Sequence, residues 1–340
     1  MNIQELSRTA QAMVAEGKGI LAADESSGTI AKRFASVGVE STEENRRQYR
    51  QLLLTTEGVE QFISGVIMYD ETIRQSTDDG TPFPKVLQDK GIIPGIKVDK
   101  GAKDMPLFPG EKITEGLDGL RERLIEYRDM GARFAKWRAV IAIGEDIPSI
   151  TCMQANAEVL ARYAALCQEQ DIVPIVEPEV LMDGSHDIIE CQQVSEVMFA
   201  SLFAWLRDHG VVPEGLMLKP NMVISGKESA EQADVDEVAD RTIETLRHTV
   251  PAAVPGVVFL SGGQTPELAT EHLNAMNQRG PHPWVLSFSY SRALQEPVLN
   301  TWRGDPSKVA EAQRIFYHRA KMNSMARQGR YTKDMETMAA

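Results

Sequence analysis

Eight short apolar runs punctuate the chain: GILAAD (19–24), GVIMYD (65–70), GIKVD (95–99), RFAKWRAV (133–140), IVPIVEPE (172–179), GLMLKP (215–220), VVFLSG (257–262) and WVLSFS (284–289). They are apolar throughout instead of alternating, the pattern of strands covered on both faces, as in parallel sheets. Between most of them the apolar positions take helical spacing, which predicts helices over 43–56, 116–130, 149–170, 187–208, 233–248, 266–278 and 306–327. Ser41 stands three residues before Glu44 in a capping-box spacing, and Thr265 precedes Pro266 at a helix head. TDDGTPFP (77–84) reads as turn and loop, so no full helix is expected between the second and third strands. The opening MNIQELSRTAQAMVAEGKG has the pattern of an amphipathic helix that covers part of the body.

Alternating strands and helices over this length predict an α/β fold, a single TIM-type (β/α)₈ barrel spanning residues 1–340 with an N-terminal helix and a short C-terminal tail. An open doubly wound sheet is the rival, but no GxGxxG follows a strand.

Composition narrows the function classes. A content of 42% hydrophobic and 25% charged residues is that of an ordinary soluble protein. No run approaches the roughly 20 apolar residues of a membrane span, and the N-terminus lacks an apolar signal-peptide core, so a cytoplasmic location is expected. Three cysteines at no ligand spacing suggest reduced thiols, and six scattered histidines offer no metal set, so neither metal nor cofactor is expected. A net charge of −13 argues against nucleic-acid and membrane partners, and makes any local cationic cluster conspicuous.

Such clusters lie where barrel chemistry collects, at the carboxyl ends of the strands. Lys136 and Lys219 interrupt apolar runs there, although burying a lone ammonium costs several kcal/mol. Snorkelling to water is the bland alternative for either alone. Glu177 and Glu179 share one face of strand five, and Lys136 and Arg138 one face of strand four. Glu177-Pro178 and Lys219-Pro220 each hold an ionisable residue extended beside a proline that helps stop the ladder. A crowded lysine whose pKa moved from about 10.4 toward about 7–8 would be a nucleophilic amine at neutral pH. Such an amine converts a carbonyl to an iminium, and Glu177, Glu179 and Asp24 are available for the proton transfers.

Two anion sites flank these groups. Ser261-Gly262-Gly263, followed by Thr-Pro at a helix head, has the chemistry of a phosphate cradle, and Ser289, Ser291 and Arg292 close strand eight beside it. Ser26, Lys100 and Arg138, with Arg33 as a further candidate, come from the opposite side. For Arg33 the alternative is a simple pair with a surface carboxylate. Two separated anion sites about a reactive lysine suggest a small substrate with a phosphate at each end.

KGILAADES, TEENRRQYRQLLL, GIKVDKG, FAKWR, VPIVEPE, LMLKPNMV, FLSGGQ and SFSYSRAL together resemble the class I, Schiff-base fructose-1,6-bisphosphate aldolases, from about residue 17 to 331. The resemblance implies that Lys219 forms the Schiff base and Glu177 is the main acid/base, with Lys136 its charged partner. Asp24 would handle the substrate hydroxyl proton, and Glu179 the electrostatics about Lys219. Ser261, Gly262 and Arg292 would hold the ketone-side phosphate; Ser26, Lys100 and Arg138 the distal one, with Arg33 closing over the cleft. It further implies dihydroxyacetone phosphate and glyceraldehyde 3-phosphate as products, in glycolysis and gluconeogenesis, and a homotetramer.

Three departures matter. Ser291 stands where the family often has glycine, and Thr29 where serine is common. Many members also carry a terminal tyrosine that assists proton exchange at the enamine, whereas this chain closes on Met338-Ala339-Ala340 and Tyr331 lies too early. The expectation is tritium exchange into dihydroxyacetone phosphate slower than cleavage. The rival functions are a Schiff-base aldolase preferring fructose 1-phosphate or sedoheptulose 1,7-bisphosphate, a metal-dependent aldolase disfavoured by the histidines, and a silent scaffold barrel, which the presence of Lys219, Glu177 and Asp24 disfavours.

Overall fold

Apolar runs that must be covered on both faces close on themselves here. In the computed structural model, which describes residues 1–339 and so leaves Ala340 of the predicted tail outside the described residues, eight parallel strands form a closed barrel. They are β1 (Gly19–Ala23), β2 (Ile63–Met68), β3 (Ile93–Lys97), β4 (Phe134–Ile141), β5 (Val173–Val180), β6 (Met217–Leu218), β7 (Gly256–Phe259) and β8 (Val285–Tyr290). Each pairs with its chain successor, and β8 closes on β1 with Ile20 opposite Ser289. All eight predicted runs are therefore strands of one barrel.

Aromatic volume fills the interior. A methyl group on Gly95 would lie 2.2 Å from the Phe134 ring, so glycine is required for that ring to fit. The helix Ile3–Met13 is capped by Asn2, which accepts from Glu5 N at 3.2 Å, and its Leu6, Ala10 and Met13 lie on one face. They pack with Ile20, Ile67, Phe134, Val173, Ile175, Met217 and Val258, closing the amino end of the barrel. The carboxyl end is left open.

Several elements depart from expectation. Helices Ser27–Ser36, Asp70–Ile73, Phe83–Asp89 and Arg292–Trp302 were not anticipated, nor was an antiparallel hairpin of Ala102–Asp104 with Lys112–Thr114. The first cap of Glu43–Thr55 is Thr42, accepting from Asn45 N at 3.1 Å, and not Ser41. Thr265 does cap Pro266–Gln278, accepting from Leu268 N at 3.2 Å. Pro178 does not stop its strand, because β5 runs through it to Val180. Its missing N–H faces β6, whose pairing has already ended at Leu218, while Val180 N bonds the Asn221 side chain at 2.9 Å. Lys219 does end its strand: its N–H reaches Val176 O at 2.9 Å, and the chain turns away at Pro220.

Candidate active site

Three adjacent strands bring an amine–carboxylate cluster to the open end. Lys136 lies within β4, Glu177 within β5 and Lys219 just beyond β6; each is only 4% exposed. Lys219 Nζ is 3.2 Å from Glu177 Oε1, and Lys136 Nζ is 3.1 Å from Glu177 Oε2. Lys136 Nζ also lies 2.7 Å from Asp24 Oδ2, just past β1 on the opposite wall. Glu177 is thus a carboxylate between two ammonium groups, and its Oε2 makes no hydrogen bond.

The electrostatics follow from that alternation. Burial alone would raise the pKa of Asp24, but Lys136, Lys219 and Lys97 outweigh it and hold Asp24 ionised well below its ordinary value. Glu177 is lowered in the same way, burial being outweighed by Lys136, Lys219 and Arg138. Lys136 goes the other way: burial disfavours its charge, but Asp24, Glu177 and Asp99 raise its pKa above that of a free lysine. Lys136 is therefore a fixed cation, not a spare nucleophile. Glu179 pairs with Arg138 instead of facing Lys219 directly.

On the β7–β8 side the glycine cradle is tight. Gly263 has φ +78°, and a methyl on it or on Gly262 would lie 2.5 Å from the Met182 side chain. The same methyl on Gly262 would be 3.3 Å from Arg292 Nη2, so the predicted clamp lies against the predicted cradle. Ser261 Oγ accepts from Ala293 N at 3.4 Å, tying the end of β7 to the helix after β8. Ser289 is fully buried with an unpartnered hydroxyl.

Arg33 belongs to this side, not with Lys100. It bonds Ser291 Oγ at 2.8 Å and pairs with Glu25, a buried carboxylate and not the surface one the alternative expected. Glu25, buried and missed in the sequence, gathers the group: it takes Arg50 at 2.7 Å, Ser291 Oγ at 2.5 Å and Gln295 Nε2 at 3.0 Å. Burial would raise its pKa, yet Arg50 and Arg33 bring it below the ordinary value.

The distal side also departs from expectation: Arg138, paired with Glu179, does not line its cavity, and the inward lysine there is not Lys100. A cavity of 460 Å³ is lined by Ser26, Lys97, Asp99, Lys100, Arg74 and Arg123 among others. Lys97 is the inward lysine. It is the register partner of Lys136, its side chain is 16% exposed, and it lies 3.4 Å from Asp99. Lys100 is exposed at the rim. The run GIKVD predicts a strand to residue 99, whereas pairing stops at Lys97, which puts Lys97 at the mouth. No group of three or more His, Cys, Asp or Glu side chains suited to a metal occurs among the described residues. No helix among them is long and apolar enough to cross a membrane.

Comparison with known proteins converges on one family. The family model described as fructose-bisphosphate aldolase class-I matches residues 5–340. A probable fructose-bisphosphate aldolase class 1 of Xanthomonas campestris pv. campestris is 62% identical over 97% of this chain and 99% of its own length. Fructose-bisphosphate aldolase 1 of Toxoplasma gondii is 52% identical over 96% of this chain and 91% of its own. A solved Plasmodium falciparum fructose-bisphosphate aldolase, in complex with TRAP and a small-molecule inhibitor, superposes with TM-score 0.96 at 50% identity. That match covers 97% of this chain and 96% of the other.

Proposed function

The chain belongs to the class-I fructose-bisphosphate aldolase family, and on that premise we propose that Lys219 is the amine that bonds to substrate. The reaction is the reversible cleavage of fructose 1,6-bisphosphate to dihydroxyacetone phosphate and glyceraldehyde 3-phosphate through a lysine Schiff base. The observation that carries the residue assignment is the buried Glu177 carboxylate, with Lys219 at 3.2 Å on one oxygen and Lys136 at 3.1 Å on the other.

That geometry, with the family resemblance, supports the following roles. Lys219 passes a proton to Glu177, which at once frees the amine and arms an acid. Loss of the Lys219 charge also removes one of the causes that keep Glu177 ionised. The amine attacks C2 of the ketose to give a carbinolamine; Glu177 protonates the departing hydroxyl, and water leaves the iminium. Asp24, kept as a carboxylate by its cationic neighbours, takes the C4 hydroxyl proton. The C3–C4 bond breaks, its electrons move to the iminium nitrogen, and the aldehyde departs. Protonation of the resulting enamine at C3 and hydrolysis release the second product. Lys136 holds Asp24 and Glu177 ready, and Glu179 engages Arg138.

Ser261, Gly262, Gly263 and Arg292 serve the ketone-side phosphate, with Arg33, Ser289 and Ser291 beside them. Ser26, Lys97 and Arg138 serve the distal phosphate, and Lys100 contributes from the rim. A cationic cavity on the distal side favours a bisphosphate over a monophosphate. The three buried, unbridged cysteines support a reducing, cytoplasmic setting. A homotetramer rests on the family resemblance alone.

Borohydride reduction in the presence of dihydroxyacetone phosphate, followed by peptide mapping, tests the assignment. The adduct is expected on the peptide bearing Lys219; an adduct on Lys136, or none, overturns it.

A further inference from the structure

Behind the ketone-side cradle lies a buried cation that the chemistry above does not use. Arg319, on the helix Val309–Arg327, is 3% exposed. Its Nη2 donates to Pro266 O at 2.9 Å and to Thr270 Oγ1 at 2.7 Å; its Nε reaches Ala293 O at 3.4 Å. Pro266 opens the helix that follows Ser261-Gly262-Gly263, and Ala293 lies in the first turn of the helix that begins at Arg292. One guanidinium therefore ties together the first turns of the two helices whose heads carry the cradle and its clamp. Ala293 N also bonds Ser261 Oγ at 3.4 Å, so the same two turns meet again at the mouth.

The fourth arm of Arg319 goes elsewhere. Its Nη1 pairs with Glu336, in the C-terminal 3-10 segment Lys333–Ala339. His318 Nε2 lies 2.8 Å from the second oxygen of that carboxylate, and Tyr331 donates to the first at 3.0 Å. A planar fork with donors at fixed angles can satisfy two backbone carbonyls and a carboxylate only in one orientation. Glu336 holds the Nη1 arm of that fork.

We propose that Arg319 is a positioning residue for the ketone-side phosphate, and that Glu336 couples docking of the C-terminal segment to that site through Arg319. The proposal rests on the assignment of the β7–β8 loops as the ketone-side phosphate site. It deepens that assignment by naming what aligns them. Backbone groups at helix heads bind phosphate only when their N–H vectors converge, so a small relative shift of the two first turns weakens binding without touching the amine chemistry.

The test reads binding and chemistry apart. Borohydride inactivation is followed as a function of dihydroxyacetone phosphate concentration, a ligand with only the ketone-side phosphate, in the full chain and in Arg319→Met and Glu336→Ala. The expected result is a several-fold higher half-saturating concentration in both variants, with the maximal inactivation rate within about two-fold of the parent, as for a loss confined to ground-state binding. Arg319→Lys keeps the charge but loses the fork, and is expected to resemble Arg319→Met. An unchanged half-saturation in Glu336→Ala overturns the coupling. An unchanged value in a folded Arg319→Met overturns the positioning role, and if that variant does not fold, Glu336→Ala decides. If the parent chain itself is not inactivated, the Lys219 assignment fails instead, which is a separate result.

Discussion

The amine centre and the Arg33 flank are both dense with charge, yet they are built in different ways. In the centre, Lys136 and Glu177 lie within strands and Lys219 follows one directly, so backbone ladders fix where each side chain starts. In the flank, Arg33 and Ser291 come from a helix and a helix head, and Glu25 between them does the holding through side chains alone. Ladders give the centre the precision that covalent chemistry requires. Side-chain ties alone hold the flank, the region proposed to grip a phosphate. Removing a centre group should therefore abolish chemistry, and removing a flank group should only loosen binding.

The largest effect belongs to Lys219. Lys219→Met removes the amine proposed to bond to the ketone, and kcat should fall by roughly 10⁴-fold or more, as when a nucleophile is deleted elsewhere. Glu177 keeps Lys136 as its partner, so the variant should fold normally. Residual kcat within about 100-fold of the parent would break the contrast at its root.

Lys136→Met comes next, and its signature is in stability as well as rate. It strips the closest cation from both Asp24 and Glu177, and breaking a buried pair of this kind costs about 3–5 kcal/mol. The sign with pH is fixed by the shifts. Asp24 and Glu177 are depressed in the fold, so their contribution is present above the unfolded carboxylate pKa of about 4 and is lost as pH falls through the folded values. Lys136 is raised, so its contribution is present below the unfolded lysine pKa of about 10.4 and is lost only above it. The deficit of Lys136→Met, measured by urea unfolding, should be largest at pH 6–8 and shrink in acid, where Asp24 and Glu177, deprived of their shared cation, take up protons. A deficit independent of pH would mean that lost packing, not lost pairing, is responsible.

The distal side comes third, and there the sequence and the structure point to different lysines. Lys97→Met should raise KM for fructose 1,6-bisphosphate by about ten-fold, the worth of about 1.4 kcal/mol. Lys100→Ala should change it by no more than about two-fold, because that side chain is exposed at the rim. The reverse order would restore the sequence reading.

That disagreement shows what the chain discloses of itself. Continuous apolar runs made the eight strands legible, and the ionisable residues interrupting them marked Lys136, Glu177 and Lys219. What stayed hidden was decided by neighbours. Lys97 is interior because β3 pairing stops there, a matter of register with β4 that no local pattern records. Glu25 looked like one more acidic residue after a strand, since Arg50, Gln295 and Ser291, its partners, come from distant segments. The hairpin of Ala102–Asp104 and Lys112–Thr114 lacks an apolar run, and Pro297 inside Arg292–Trp302 masked that helix. Thr42 is the cap in place of Ser41, which is engaged by Arg46 instead.

Ser291→Gly should give the smallest effect and the finest test of the flank. The serine hydroxyl donates to Glu25, accepts from Arg33 and lies 3.2 Å from Gln295 Nε2, so its loss removes one corner of the group. The Arg33–Glu25 and Arg50–Glu25 pairs remain, which limits the loss to about 1 kcal/mol, the net worth of a hydrogen bond. The backbone at Ser291 has φ −105°, open to any residue, so glycine gains nothing in strain and adds chain entropy in the unfolded state. The expected outcome is a KM for fructose 1,6-bisphosphate two- to five-fold higher with kcat unchanged, read from steady-state rates. If kcat fell instead while KM held, the hydroxyl would belong with the chemistry, and the division between a ladder-built centre and a side-chain-built flank would have to be redrawn through residue 291.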